Sequence, residues 1–161
     1  MKSKWLWALL VVLAAVGVYA GTVLATPPSG QSTTTVARAS FGPLDLRGSV
    51  PHVWKAKIKT RGTSDLYVID NTFAANGGTS GWHSHPGPSL VFVVAGTITN
   101  SMFDGHHCMT HEYTAGQGFV DEGGADVHMI TNNGSVEART IAVQLVQAGA
   151  TRRIDADDPC R

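Results

Sequence analysis

The chain has 161 residues, with twelve Lys plus Arg against twelve Asp plus Glu. That length suits one domain with a single packed core, and a second domain is not needed. The balanced charge sets up no field that would draw the protein to nucleic acid or to an acidic membrane surface, so no nucleic-acid partner is expected.

Lys2 and Lys4 lead an uncharged stretch from Trp5 to Ala25, centred on Leu9-Leu10-Val11-Val12-Leu13. This is the pattern of an export signal, and the small residues in Val18-Tyr19-Ala20 and Val23-Leu24-Ala25 offer cleavage sites, the second preferred. Residues 1–25 are therefore expected to be a signal peptide. An uncleaved membrane anchor is the alternative, because ~20 apolar residues can span a bilayer. The expected location is secreted or extracytoplasmic, periplasmic or at the cell surface, with a membrane as partner only if the segment stays attached. Loss of Lys2 and Lys4 leaves ten basic residues against twelve acidic ones.

Residues 26–48 open on Thr26-Pro27-Pro28-Ser29-Gly30-Gln31-Ser32-Thr33-Thr34-Thr35, too polar and too rich in breakers to bury a face, and are expected to form a flexible segment. Residues 49–150 are the expected domain and 151–161 a C-terminal tail. Val53–Lys59 alternates strictly, placing Lys55, Lys57 and Lys59 on one face and Trp54, Ala56 and Ile58 on the other, the pattern of a half-buried strand. Further strands are predicted at Asp65–Phe73, Trp82–His85, Leu90–Val94, Thr97–Phe103, Gly118–Asp121, Val127–Thr131 and Ala138–Val146, with a turn at Asn76-Gly77-Gly78. No stretch after residue 26 carries sustained apolar spacing at three and four residues. Many short strands between Gly-rich turns predict an all-β sandwich or barrel.

His83-Ser84-His85 ends a predicted strand and runs into Pro86-Gly87-Pro88. Residues two apart on a strand point to one face, so both imidazoles can meet one metal ion, and the prolines stiffen the backbone that carries them. His106, His107 and His111 flank Cys108 on a predicted hairpin and are read as exposed, while His52 carries no pattern. Cys108 and Cys160 are the two cysteines of the exported part, where an even pair invites a bridge; two free thiols, or a thiol near a metal, are the alternatives.

The surroundings of the histidines resemble the cupin superfamily. Its first motif runs Gly, five residues, His-x-His, three or four residues, Glu, six residues, Gly; this chain has Gly77, His83-Ser84-His85, Ser89 and Gly96 at those spacings, with Ser89 in place of the Glu. The second motif is matched by His128 and Asn132 after a Gly-rich approach, although Gly123 and Ala125 stand where Pro and Gly are usual. The likeness covers roughly residues 50–147. More narrowly, Gly81–Pro88, the Cys108 hairpin and Arg153-Ile154-Asp155-Ala156 with Cys160 are similar to a group of secreted bacterial cupin-domain proteins.

The resemblance implies a cupin-type β-barrel, or jelly roll, of two antiparallel sheets, with one divalent transition metal ion on His83, His85 and His128. Three neutral imidazoles suit Fe(II), Mn(II), Co(II), Ni(II), Cu(II) or Zn(II) and leave coordination positions open. Ser89 and Asn132 are assigned beside the metal, Ser89 as the substituted ligand position. Loss of the Glu is expected to leave the site one charge more positive, with Asp121 or Glu122 as a lesser source of the absent carboxylate. Two functions follow as expectations: a metal-dependent oxygenase acting on a small phenolic, diketone or enolisable compound, or a non-catalytic module that binds a small ligand or metal. Neither identifies catalytic residues, and a homodimer through sheet edges is admissible for so small a barrel.

Overall fold

A computed structural model describes residues 25–161. The leader expected over residues 1–25 lies outside the described residues, apart from Ala25.

The described chain is all strand and turn. Its strands are β1 (Gln31–Phe41), β2 (Asp45–Val50), β3 (Trp54–Lys59), β4 (Ser64–Phe73), β5 (Gly78–Thr79), β6 (His83–Ser84) and β7 (Ser89–Ala95). They continue as β8 (Thr97–Phe103), β9 (Cys108–Thr114), β10 (Gly118–Asp121), β11 (Val127–Asn132), β12 (Ala138–Gln147) and β13 (Ile154–Asp155). One antiparallel sheet has the order β1-β4-β12-β7-β10 and the other β13-β6-β11-β8-β9, with β5 also on β11. The strand pattern predicts an all-β sandwich or barrel, and the two antiparallel sheets make it the jelly-roll barrel that the resemblance implies.

The inner faces follow from period-two alternation. On β12, Ala138, Thr140, Ala142, Gln144 and Val146 are buried while the residues between them are more open, and on β11 His128, Ile130 and Asn132 are buried in the same way. Phe73, Val93, Ile98, Ile130 and Ala138 join the two sheets in one apolar cluster, and Ile69, Val91 and Ala142 form a second. Burial of each large side chain contributes ~1.5–3 kcal/mol. Phe73, at the centre of the first cluster, is therefore a position where truncation to Ala should cost ~3–5 kcal/mol.

Two expectations about the N-terminal half fail. Residues 26–48 are not a flexible segment: they include β1, which pairs with β4 over its whole length, and most of β2. Side-chain hydropathy misleads there because β1 buries almost nothing and is held by ladder hydrogen bonds and by polar anchors. Asp65 on β4 accepts hydrogen bonds from Arg38 and Ser40 of β1, and from Gly149 N at 3.1 Å. These contacts hold the Asp65 carboxyl down at about 2, chiefly through Ser40, Gly149 and Arg38. Nor is Val53–Lys59 half-buried. It pairs only with β2, as a separate two-stranded hairpin, leaving Trp54 and Ile58 58% and 47% exposed.

Candidate metal centre

Parity places the histidines as the sequence predicts. His83 on β6 and His85 just beyond its end lie two residues apart and turn to one face, and His128 on β11 is the direct cross-strand partner of His83. All three are buried. Their ring centroids lie 4.3 Å apart for His83 and His128, 4.8 Å for His83 and His85, and 5.3 Å for His85 and His128. One ring nitrogen from each falls within 4.8 Å of the other two.

Backbone carbonyls settle which nitrogens face inward. Nδ1 of His83 donates to Gly81 O at 2.9 Å and Nδ1 of His85 to Arg152 O at 2.8 Å. A carbonyl only accepts, so both Nδ1 atoms carry the proton and both Nε2 atoms keep a lone pair. Burial, reinforced by the neighbouring His128 and Arg153, drives His83 far below the ordinary histidine range; burial lowers His85 to about 4. Both rings are neutral at pH 7, the form that binds a metal.

The loops on either side depend on glycine. Gly81 has φ +64°, and a methyl group there would run into the Thr26 carbonyl. Gly123 has φ +74° and packs against the Gly87 carbonyl, while Gly124 N donates to His85 O at 2.7 Å. Pro86-Gly87-Pro88 and the Gly123-Gly124 turn thus touch backbone to backbone beside His85.

The tail supplies the fourth wall. β13 pairs with β6, setting Asp155 opposite His83 and Ile154 opposite Ser84. Cys108 and Cys160 are joined in a disulfide, Cα atoms 5.9 Å apart, which fastens the end of the tail to β9. Neither sulfur is left to serve a metal, and His106, His107 and His111 are exposed as expected.

The carboxylate question resolves differently from the main expectation. Ser89 is buried and lines the same cavity as the triad, but Asp121, its cross-strand partner on β10, brings back the negative charge. Asp121 Oδ2 lies 3.5 Å from His128 Nδ1 and 3.7 Å from His85 Nε2. Oδ1 accepts from Gly123 N at 2.9 Å, whereas Oδ2 is buried without a hydrogen-bond partner among the described residues. Burial works to raise this carboxyl; His128, Gly123 N–H and His85 outweigh it and leave the group below the ordinary aspartate range. The site is therefore not the more positive one expected from Ser89 alone. Asn132 also departs from expectation: its side chain donates to Phe73 O, Ala74 O and Val136 O and accepts from Gly134 N. It ties two turns together and does not adjoin the histidines.

Three buried, convergent imidazoles, with His83 and His85 neutral and presenting Nε2 lone pairs, beside a buried carboxylate oxygen without a hydrogen-bond partner among the described residues, fit a divalent transition metal. A family model described as Cupin domain matches residues 72–144, which hold all three histidines, Ser89 and Asp121. These residues form a cupin domain. Among solved structures, the cupin resembles Peruvianin-I, a cysteine peptidase from Thevetia peruviana latex, at 21% identity and a TM-score of 0.53, over 88% of this chain and 78% of that one. It also matches an oxalate oxidase in complex with the substrate analogue glycolate at 24% identity and a TM-score of 0.48, over 53% of this chain and 44% of that one. A cupin superfamily protein from Desulfitobacterium hafniense DCB-2 matches at 11% identity and a TM-score of 0.44, over 71% and 82%. The cupin spans less than half the length of the oxalate oxidase structures it matches. At these identities the likeness is one of fold. No curated protein matches the chain.

Sequence reasoning ranked Asp121 low and missed Arg152 and Gln144, which line the triad's cavity. The signal for Gln144 was present: a glutamine at an inward position of an otherwise alternating strand, β12. Nothing local marks Arg152, which reaches the cavity only because the tail folds back.

Proposed function

We propose that this cupin holds one divalent transition metal on His83, His85 and His128 and uses it, outside the cytoplasm, in an enzymatic reaction on a small enolisable compound, an oxygenation being the favoured chemistry. The observation that carries the reading is the free Oδ2 of Asp121. The Asp121 carboxylate is desolvated, lacks a hydrogen-bond partner at Oδ2 among the described residues and lies 3.5 Å from a ligand ring, a placement that suits a proton acceptor as well as a support for the metal. A bound ion would supply Lewis acidity and open positions for an oxygen donor.

The residues then divide the work. Gly81 O and Arg152 O fix two rings in the tautomer that presents Nε2. Asp121, ionised at neutral pH, accepts a proton from an acidic C–H or O–H of the compound bound beside it. Val91, Ala142 and Ile130 line the triad's cavity with apolar surface, and Asp121 adjoins it through His85 and His128. The disulfide supports a location outside the reducing cytoplasm.

The test is metal analysis of the purified protein followed by dioxygen uptake with phenol, diketone and keto-acid panels. One equivalent of metal with turnover supports the proposal. One equivalent without turnover of any member, and without an effect of Asp121→Asn on proton exchange of a bound compound, favours a non-catalytic binding module instead.

A further inference from the structure

We propose that Arg152, Gln144 and Ser89 form a subsite for the carboxylate of a small organic acid, set beside the three histidines. The inference rests on the proposed metal only for the ligand's second anchor; the subsite itself is built from side chains of this chain.

The cavity that holds the triad has a volume of about 210 Å³. At ~30 Å³ for each water-sized unit, it admits roughly seven heavy atoms. Two guanidinium groups line it, and their surroundings differ. Arg153 donates to Asp155 Oδ1 and to Ser80 O, both at 2.7 Å, so its charge is met by a carboxylate and a carbonyl. Arg152 donates only to the neutral Gln144 Oε1, at 3.0 Å, and meets no carboxylate at ion-pair distance among the described residues. A partly buried cation without a counter-charge is costly, and an entering anion relieves that cost.

A second observation points the same way. Ser89 is 1% exposed and its hydroxyl has no hydrogen-bond partner among the described residues. Ser89 and Gln144 are direct cross-strand partners on β7 and β12, and both face this cavity. With its oxygen engaged by Arg152, Gln144 has its amide N–H groups to offer. The three residues therefore present donors: a guanidinium fork, an amide and a hydroxyl. Such a set matches a planar carboxylate, which accepts from a guanidinium through both oxygens.

The cavity is also polarised. Asp121, Ser89 and Gln144 occupy one cross-strand row over β10, β7 and β12: Ser89 and Gln144 line the cavity, the Asp121 charge lies outside its lining against His85 and His128, and Arg152 lies beyond Gln144. An anion is repelled from the Asp121 end and attracted to the Arg152 end. The ligand class this selects is a short acid whose carboxylate lies at Arg152 and whose other oxygen, or acidic C–H, lies toward the histidines and Asp121. A 2-oxo acid has that shape.

Calorimetric titration of the full chain, loaded with redox-inert Zn(II), compares pyruvate with pyruvamide, its uncharged isostere. Pyruvate should bind at least tenfold more tightly. Arg152→Gln should abolish that preference while keeping one equivalent of zinc, and Arg152→Lys, which keeps the charge but not the fork, should retain part of it. Equal binding of the two compounds, no pyruvate binding, or an unchanged preference in Arg152→Gln would overturn the proposal. If the wild-type chain takes up no zinc, the metal reading fails separately. Pyruvate titration of metal-free wild type and Arg152→Gln then decides the subsite alone, with equal affinities counting against it.

Discussion

Asp121 Oδ2 stands 3.5 Å from Nδ1 of His128 inside the barrel, with no hydrogen-bond partner of its own among the described residues. A carboxylate beside a ligand imidazole orients the ring and raises its basicity, and loss of such a partner typically costs 10–100-fold in metal affinity. Asp121→Asn, which keeps the shape and removes the charge, should therefore weaken metal binding on the order of tenfold and slow any turnover on the order of 10²–10⁴-fold. Chelator competition reads the first effect and initial rates the second. An affinity and rate equal to wild type would remove Asp121 from both roles.

His83→Ala, His85→Ala and His128→Ala should each lose most bound metal at neutral pH, because each ring supplies one of three convergent nitrogens. His106→Ala and His111→Ala should keep it, since both rings are exposed on the far hairpin. Elemental analysis after desalting decides between them. Metal that binds only the folded chain also raises Tm, so the first three variants should lose the increment that added metal gives wild type.

The metal-stripped chain should weaken in mild acid. His85 titrates near 4 when folded and near 6.5 when unfolded, and His83 is lowered further. Between those values the unfolded chain binds more protons, so stability is full above pH 6.5 and falls as pH drops toward 4. Urea midpoints at pH 7.5 and 4.5 should show the loss. His83→Ala/His85→Ala should flatten it, and an equal slope in that variant would place the acid sensitivity elsewhere.

Asp65 governs a lower window. Its folded value of about 2 lies below the ordinary aspartate range, so its contribution is complete above pH ~4 and disappears as pH falls through about 2. Asp65→Asn should lower Tm at pH 7 and converge with wild type near pH 2. Amide exchange should quicken selectively along β1, since Arg38 and Ser40 lose their shared anchor. Unchanged protection of β1 would show that its ladder alone holds it.

Reduction of the Cys108–Cys160 bond, which spans 52 residues, should cost ~2–4 kcal/mol of stability. Thermal melts with and without a thiol reductant measure it, and Cys160→Ser should match the reduced wild type.

Legibility in the sequence followed the reach of each rule. Period-two alternation located Gly118–Asp121 to the residue and β4, β7, β8, β11 and β12 to within one residue at each end, because those strands bury one face. The same rule missed β1, whose polar side chains say nothing about a ladder made by its backbone. It also assigned Trp54 and Ile58 a buried face, although alternation reports two distinct faces and not what covers either. For the site, spacing gave His83 and His85, and the family resemblance added His128. Ser89 drew attention to a missing charge, but the replacement came from Asp121, one strand over, through a pairing that no local pattern encodes. Arg152 is 67 residues from the ring its carbonyl supports.

That separation orders events during synthesis. His83 meets His128 only when β11 has joined the sheet, and the His85 ring is not fixed until residue 152 has left the ribosome and the tail has turned back along β6. A nascent chain that already displays both first-motif histidines still lacks the carbonyl that selects the His85 tautomer. Seating of an ion in its final geometry is consequently a late step. In a chain exported unfolded, that step would follow export, and the metals available there would determine what the barrel encloses.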